Sequence, residues 1–378
     1  EYFNIQLAGE YRPVTFFQSL ETIFMDFLGL WTPVLPETPQ TPFSLVQYQK
    51  PSQADFSIKF KSAKPFLDYF LPGVYVSPGT HLTGNLAMGS SYKVQLIATA
   101  DTLLLGNSLF KTNSAQVSIQ KTIGYPDMTS RLEAHSHRQN MGWIQTDQLD
   151  LFARWNGSEP IQMEGYVQQS KSPNKLQMVG LASIKPDHYE FTLNSEETFL
   201  DLLNQRWRLP KNNRLIMNPG RIQFEQIALN GVGQKISLEG EMNEQLGKIA
   251  RFSIENFDLR ALQPLIRENI SGIANGQISL LNAFGSPQIL SNLQVEDVTH
   301  EGFLVGNIIA NSRYDTQINK VLLNLELDKQ KEKILTISGT YDSNDPLDPL
   351  DLTASVKKAE LGVFQPFVRD IFSQLQGQ

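Results

Sequence analysis

Hydrophobic side chains recur at every second position along most of this chain. In the stretch 321–328, Val321, Leu323, Leu325 and Leu327 alternate with Asn324, Glu326 and Asp328. Successive side chains of an extended strand point to opposite faces, so such a segment has one apolar and one wet side. The same period appears in Phe56, Ile58 and Phe60, in Val94, Leu96 and Ala98, in Val117 and Ile119, in Ile161 and Met163, and in Leu176 and Met178. It continues in Ile222 and Phe224, Ile236 and Leu238, Phe252 and Ile254, Ile278 and Leu280, and Leu293 and Val295. Leu335 with Ile337, and Leu352 with Ala354 and Val356, complete the series. One-sided strands are the mark of antiparallel sheet. Turn signals separate them at Pro78-Gly79, Asn156-Gly157, Pro219-Gly220, Asn230-Gly231, Asn275-Gly276 and Ser343-Asn344-Asp345-Pro346. Roughly twenty strands laid side by side would make a sheet on the order of 100 Å long. An open sheet of that extent must curl to cover its apolar face. The expected fold is therefore mainly β: a long, strongly curved antiparallel sheet.

A repeat reinforces this reading. Ser253-Ile254, Leu259, Gln263-Pro264, Arg267 and Ser271 recur at constant offset as Ser355-Val356, Leu361, Gln365-Pro366, Arg369 and Ser373. Each copy reads as a strand end, a polar turn and a short amphipathic helix at 259–270 or 361–372. Further short helices are expected at 14–30, where Phe16, Leu20, Ile23, Phe24 and Phe27 share a stripe, at 65–70, and at Phe199–Leu203. The Glu196-Glu197 pair fits the start of the last one. Helix, turn and several long strands form the unit of an array in which each copy buries its apolar face on its neighbours. The chain is read as one elongated groove with units at 1–63, 64–195, 196–256, 257–358 and 359–378, the last the start of a further one. Pro33, Pro36, Pro39, Pro42 and Pro51 mark a loop crossing the sheet.

Composition excludes several functions. A net charge of −7 argues against nucleic acid, which needs a basic stripe to displace counterions. Cysteine is absent, which removes disulfides, thiolate metal sites and cysteine nucleophiles. No apolar run reaches the roughly 18 residues of a membrane-spanning helix. The chain opens in a strand at Tyr2–Leu7 and reads as a segment of a longer protein.

The run from Phe257 to Asp297, with Pro264-Leu265-Ile266, Gly272, Gly276, Ile278, Leu280, Gly285, Pro287, Leu293 and Val295, and then Val305-Gly306-Asn307, resembles the repeat region of TamB-like proteins. These belong with the AsmA-like envelope proteins of Gram-negative bacteria. The resemblance covers 190–378 best. It implies a sheet folded like a taco into an apolar-lined groove, a periplasmic location between inner and outer membranes, and movement of phospholipid along the trough. It also implies an outer-membrane assembly barrel of the TamA kind as partner and an inner-membrane anchor outside this segment. Among the alternating positions, the lipid-facing residues would be Phe56, Ile58, Phe60, Val94, Leu96, Ile222, Phe224, Ile236, Leu238, Phe252, Ile254, Ile278, Leu280, Leu293, Val295, Val321, Leu323, Leu325, Leu327, Leu335, Ile337, Leu352 and Val356. The physics agrees: an acyl chain of about 16 carbons costs about 12 kcal/mol to expose, at about 0.8 kcal/mol per methylene. A carrier must therefore line the whole path with aliphatic side chains.

No chemistry-bearing motif competes strongly. His135 and His137 would share a strand face beside Glu133, but no third ligand is placed. Asp342, Asp345, Asp348 and Asp351 suggest calcium, yet the central glycine and closing glutamate of an EF-hand are missing. Gly231-Val232-Gly233 has no helix start after it to hold phosphate. The expectation is a protein that is not an enzyme and uses no cofactor. The rival reading is a β-rich scaffold or chaperone that assists outer-membrane protein assembly or secretion. A carbohydrate-active enzyme would need convergent carboxylates that are not found. The helix at 14–30 reads as a cap on the sheet's core or a gate in the trough.

Overall fold

The computed structural model describes residues 2–11, 52–62, 73–122, 128–142, 144–157, 159–243, 247–263, 268–284, 287–315, 318–342 and 347–357, together with 64, 67, 68 and 345. The expected helices at 14–30 and 361–372 and the loop 33–51 lie outside them. The chain forms two compact units, Glu1–Asp201 and Leu202–Gln378.

In the first unit the strands are β1 (Phe3–Glu10), β2 (Ser52–Phe60), β3 (Val74–Val76), β4 (His81–Met88), β5 (Ser91–Leu105) and β6 (Ser108–Thr122). They continue as β7 (Met128–Met141), β8 (Ile144–Asn156), β9 (Ile161–Gln169), β10 (Lys175–Ile184), β11 (Tyr189–Leu193) and β12 (Phe199–Leu202). From β4 to β11 each strand pairs antiparallel with the next. At the start β1 pairs β2 and β2 pairs β4, while the short β3 extends the ladder on the far half of β5. β10 is shared between β11 along Gly180–Ile184 and β12 along Lys175–Gln177. In the gap, the Thr198 hydroxyl accepts from the Val179 N–H (3.0 Å) and donates to its carbonyl (3.1 Å). Thr198 is 1% exposed, and its hydroxyl gives the Val179 N–H an acceptor that neither strand provides, while the Asn194 N–H also donates to the Val179 carbonyl (2.7 Å).

The second unit runs through β13 (Gln205–Arg208), β14 (Arg214–Asn218), β15 (Arg221–Asn230), β16 (Lys235–Asn243), β17 (Ile249–Asp258) and β18 (Ile270–Leu281). It ends with β19 (Gln288–His300), β20 (Phe303–Asp315), β21 (Lys320–Lys329), β22 (Glu332–Tyr341) and β23 (Leu350–Val356). From β14 onward it too is an antiparallel meander.

Three of the bulges in its described strands share one construction. They fall in β15 between Phe224 and Ile227, in β17 between Ile254 and Phe257, and in β19 between Val295 and Val298. Inside each sits a residue in the left-handed region: Gln226 (φ 50°), Asn256 (φ 49°) and Asp297 (φ 51°). An extra residue would turn the rest of a strand over; the bulge absorbs it and bends the strand instead. On the neighbouring strand a positive-φ glycine lies at or beside each bulge: Gly240, Gly276 and Gly306. A Cβ at these glycines would stand 2.1, 2.1 and 2.3 Å from the carbonyl oxygens of Ile249, Asn292 and Asp328, so only glycine lets the next strand approach. Asn275 Oδ1 accepts from the Asn256 N–H (2.7 Å), and Asn307 Oδ1 from the Asp297 N–H (2.9 Å). Asn275-Gly276 is thus an interior strand position serving a bulge, and the turn expected there is corrected.

The helix expectations divide. Lys64, Leu67 and Asp68 are helical; the rest of the helix expected at 65–70 lies outside the described residues. Leu259–Leu262 forms a 3-10 turn whose N-cap, Asp258, accepts from the Arg260 N–H (3.0 Å). The chain is extended again by Ile270, which shortens the helix expected over 259–270. The helix expected at Phe199–Leu203 is wrong. Phe199–Leu202 is strand, and Leu203 (φ 51°) and Asn204 (φ 59°) follow it in a turn. Glu196-Glu197 lies in the preceding turn, where Asn194 Oδ1 accepts from the Glu196 N–H (3.0 Å), and caps no helix.

Candidate functional site

The registers settle which residues share a face. In the first unit one row runs Leu7, Phe56, Gly84, Leu96, Val117, Leu132, Ala153, Met163, Gly180 and Leu193 from strand to strand. The next row along is Ile5, Ile58, Leu82, Ala98, Ala115, Ala134, Leu151, Gly165 and Met178. Neither contains a polar side chain. The row facing the other way is Gln6, Ser57, Thr83, Ile97, Gln116, Glu133, Phe152, Glu164 and Val179.

The second unit repeats the contrast. Leu229, Ile236, Ile254, Gly276, Leu293, Ala310, Leu325, Ile337 and Ala354 form one row, and Ala228, Ser237, Ser253, Gln277, Asn292, Asn311, Asn324, Ser338 and Thr353 form the opposite one. All the singled-out positions of this unit fall on the apolar side. Ile222, Phe224, Leu238, Phe252, Ile278, Leu280, Leu323 and Leu352 lie in rows beside it; Val295, Val321, Leu327, Leu335 and Val356 lie on the same face farther along the strands. Phe60 pairs with Phe3, and Val94 with Leu86 and Ile119, in the first unit.

The face is packed in places and open in others. Ala54, Phe56, Leu86, Met88, Tyr92 and Val94 make one buried cluster, and Met128, Trp155, Ile161 and Ala182 another. Val298, Val305, Leu327 and Ile334 do the same in the second unit. Elsewhere large apolar side chains stay exposed: Leu132 (38%), Leu151 (42%), Met178 (40%), Ile289 (42%) and, on β23, Leu352 (47%) and Val356 (52%). An apolar surface continuous over several strands is unusual for a protein that binds nothing. Leu132 and Leu151 were not picked out from the sequence, and Met178, read there as part of an alternating pair, was not assigned to the groove lining. The alternation of Leu149, Leu151, Ala153 and Trp155 could have found Leu151. Leu132 shares its face with Ser130 and Ser136 along the strand, which break the apolar period.

Charge is kept to the opposite side. Arg221 Nη2 donates to Glu241 Oε2 (3.1 Å) and Lys333 bonds Glu326 (2.7 Å). Burial would push the Glu241 carboxyl up, but Arg221, Lys248 and Asn243 together hold it below its ordinary range. Lys333 and Asn324 hold Glu326 low. His135 Nδ1 lies 2.8 Å from Asp150 Oδ1, and among the described residues no three metal-ligating side chains converge. Asp345 Oδ1 accepts from the Leu347 and Asp348 N–H groups (both 3.1 Å), a self-contained turn. Gly231, Val232 and Gly233 close the hairpin between β15 and β16, with Gly231 against the buried Trp207 ring. No helix among the described residues is long and apolar enough to cross a membrane.

No family model, curated protein or solved structure matches the chain. The likeness to TamB-like proteins therefore rests on motif pattern and on an antiparallel sheet with an apolar face, a β-taco-like arrangement fit for lipid binding or scaffolding.

Proposed function

We propose that this chain is a non-enzymatic carrier of phospholipid acyl chains, which lie along the apolar face and move between the inner and outer membranes of a Gram-negative envelope. The observation that carries the reading is the pair of uninterrupted rows through Leu132 and Leu151, free of polar side chains across nine strands or more. A ladder advances about 4.8 Å per strand, so these rows offer an apolar path of roughly 40 Å, longer than one extended acyl chain. Specific contacts are few, so a chain can slide without a deep minimum. In this reading the protein works in the periplasm, with an inner-membrane anchor elsewhere in the full protein and an assembly barrel of the TamA kind at the outer membrane.

Photo-crosslinking amino acids at Leu280, Leu323 and Leu325 should trap phospholipid, identified by mass spectrometry of the adduct. The same probes at Asn324 and Glu326 should not. Equal labelling of both faces refutes the proposal. Adducts at the apolar positions that contain unfolded outer-membrane protein and no lipid would favour the scaffold or chaperone reading.

A further inference from the structure

The wet side of the first unit carries an arrangement that lipid carriage on the apolar side does not use. Arg131 of β7 and Arg154 of β8 are directly opposed in register. Facing side chains in an antiparallel pair stand about 4.5–5.5 Å apart at Cβ, and like charges so placed repel. Arg131 is held by Glu133, whose Oε1 accepts from Nε (2.7 Å), and its guanidinium lies 5.3 Å from the centre of the Phe152 ring. Among the described residues Arg154 has no carboxylate partner, nor does Lys93 of β5. All three cations line one open hollow of about 340 Å³, with the hydroxyl of Thr129 and the amides of Gln120 and Asn156 beside them. The register explains the grouping: Lys93, Gln120, Thr129 and Asn156 form one row on the polar face, and Gln95, Ser118, Arg131 and Arg154 the next. No acid lines the hollow, although the chain as a whole carries net charge −7.

We propose that this hollow is a binding site for a phosphate group. Two guanidinium forks and an ammonium around one space can share the oxygens of a tetrahedral dianion, and guanidinium suits phosphate by bidentate pairing. The bound anion would relieve the repulsion between Arg131 and Arg154. Arg131, already oriented by Glu133 and Phe152, is the fixed member; Arg154 and Lys93 close on the ligand. The phosphate comes either free in solution or on the headgroup of a lipid.

The test is thermal unfolding with and without inorganic phosphate, at constant ionic strength set with chloride. Phosphate should raise the melting temperature of the wild type. In Arg154→Gln the apparent affinity should fall at least about tenfold, since a charge-assisted hydrogen bond contributes more than one decade of binding. Without phosphate, Arg154→Gln should melt no lower than the wild type, because it removes a repulsion. Lys185→Gln, a cation outside the hollow, should behave as wild type throughout. Flotation with phosphatidylcholine vesicles, with and without phosphatidic acid, separates the sources. Binding that needs phosphatidic acid, is competed by phosphate and is lost in Arg154→Gln assigns the headgroup. Phosphate stabilisation without such vesicle binding assigns a soluble phosphate. The proposal is overturned if phosphate fails to stabilise the wild type, or if Lys185→Gln weakens the effect as much as Arg154→Gln.

Discussion

Gly276→Ala should destabilise the second unit far more than its single methyl suggests. Gly276 has φ +139°, a region that residues with a Cβ rarely adopt, and holding alanine there costs about 1–3 kcal/mol. The new Cβ would also lie 2.1 Å from the Asn292 carbonyl oxygen, so β18 and β19 must separate locally. A weakened ladder bond adds about 1 kcal/mol. The sum, about 2–4 kcal/mol, should lower the melting temperature by about 4–16 °C at roughly 2–4 °C per kcal/mol for a unit of this size. The neighbouring bulge should suffer too, because Asn275 is tied to the Asn256 N–H. The internal control is Gly165→Ala. That glycine sits in the apolar row with no positive φ, and its Cβ would meet only Met178 Cε at 3.5 Å and Leu151 Cδ2 at 3.6 Å, ordinary contact distances. It should fold with wild-type stability within about 0.5 kcal/mol. Differential scanning calorimetry of both variants decides. If Gly276→Ala melts with Gly165→Ala, the bulge–glycine account of the curvature is wrong.

Other substitutions probe separate links. Thr198→Val keeps the shape but strips the half-buried Val179 N–H of its hydroxyl acceptor, and should cost about 1–3 kcal/mol in urea titrations. Thr198→Ser should recover most of that loss. Asn256→Gly should be neutral or mildly stabilising, since φ 49° suits glycine, whereas Asn256→Val should destabilise by about 1–3 kcal/mol by chemical denaturation. The Glu241 carboxyl has its pKa depressed in the folded state, so its contribution to stability is complete above the ordinary 4.5 and disappears as pH falls through the folded value. Melting temperature should therefore drop on acidification below about pH 4.5, less steeply in Glu241→Gln; parallel curves for the two proteins would refute the role given to Arg221 and Lys248.

The period-two pattern carried the β class and the membership of the apolar face. Val321 through Leu327 was enough to say which side each residue takes, because a strand's side chains alternate without exception until a bulge intervenes. Glycine and asparagine were harder to read. Asn275-Gly276 looks like a turn, yet it is a strand interior; a left-handed glycine serves both, and only the neighbouring bulge at Asn256 tells them apart. Phe199–Leu203 has the apolar density of a helix end, but five residues are too few for periodicity to separate helix from strand. There the pairing of β12 with β10 prevailed over local preference.

The sequence alone determined that each strand has a greasy and a wet side, since alternation is a local property of the chain. The tertiary structure decided how the strands line up across the ladder. Register is set by long-range hydrogen bonding and by bulges, and it is what joins Leu132 to Val117 and Ala153 in a continuous row and sets Arg131 opposite Arg154. Burial was likewise a tertiary matter: Phe56 and Leu352 carry the same sequence signal, yet one packs in a cluster and the other lies exposed on β23.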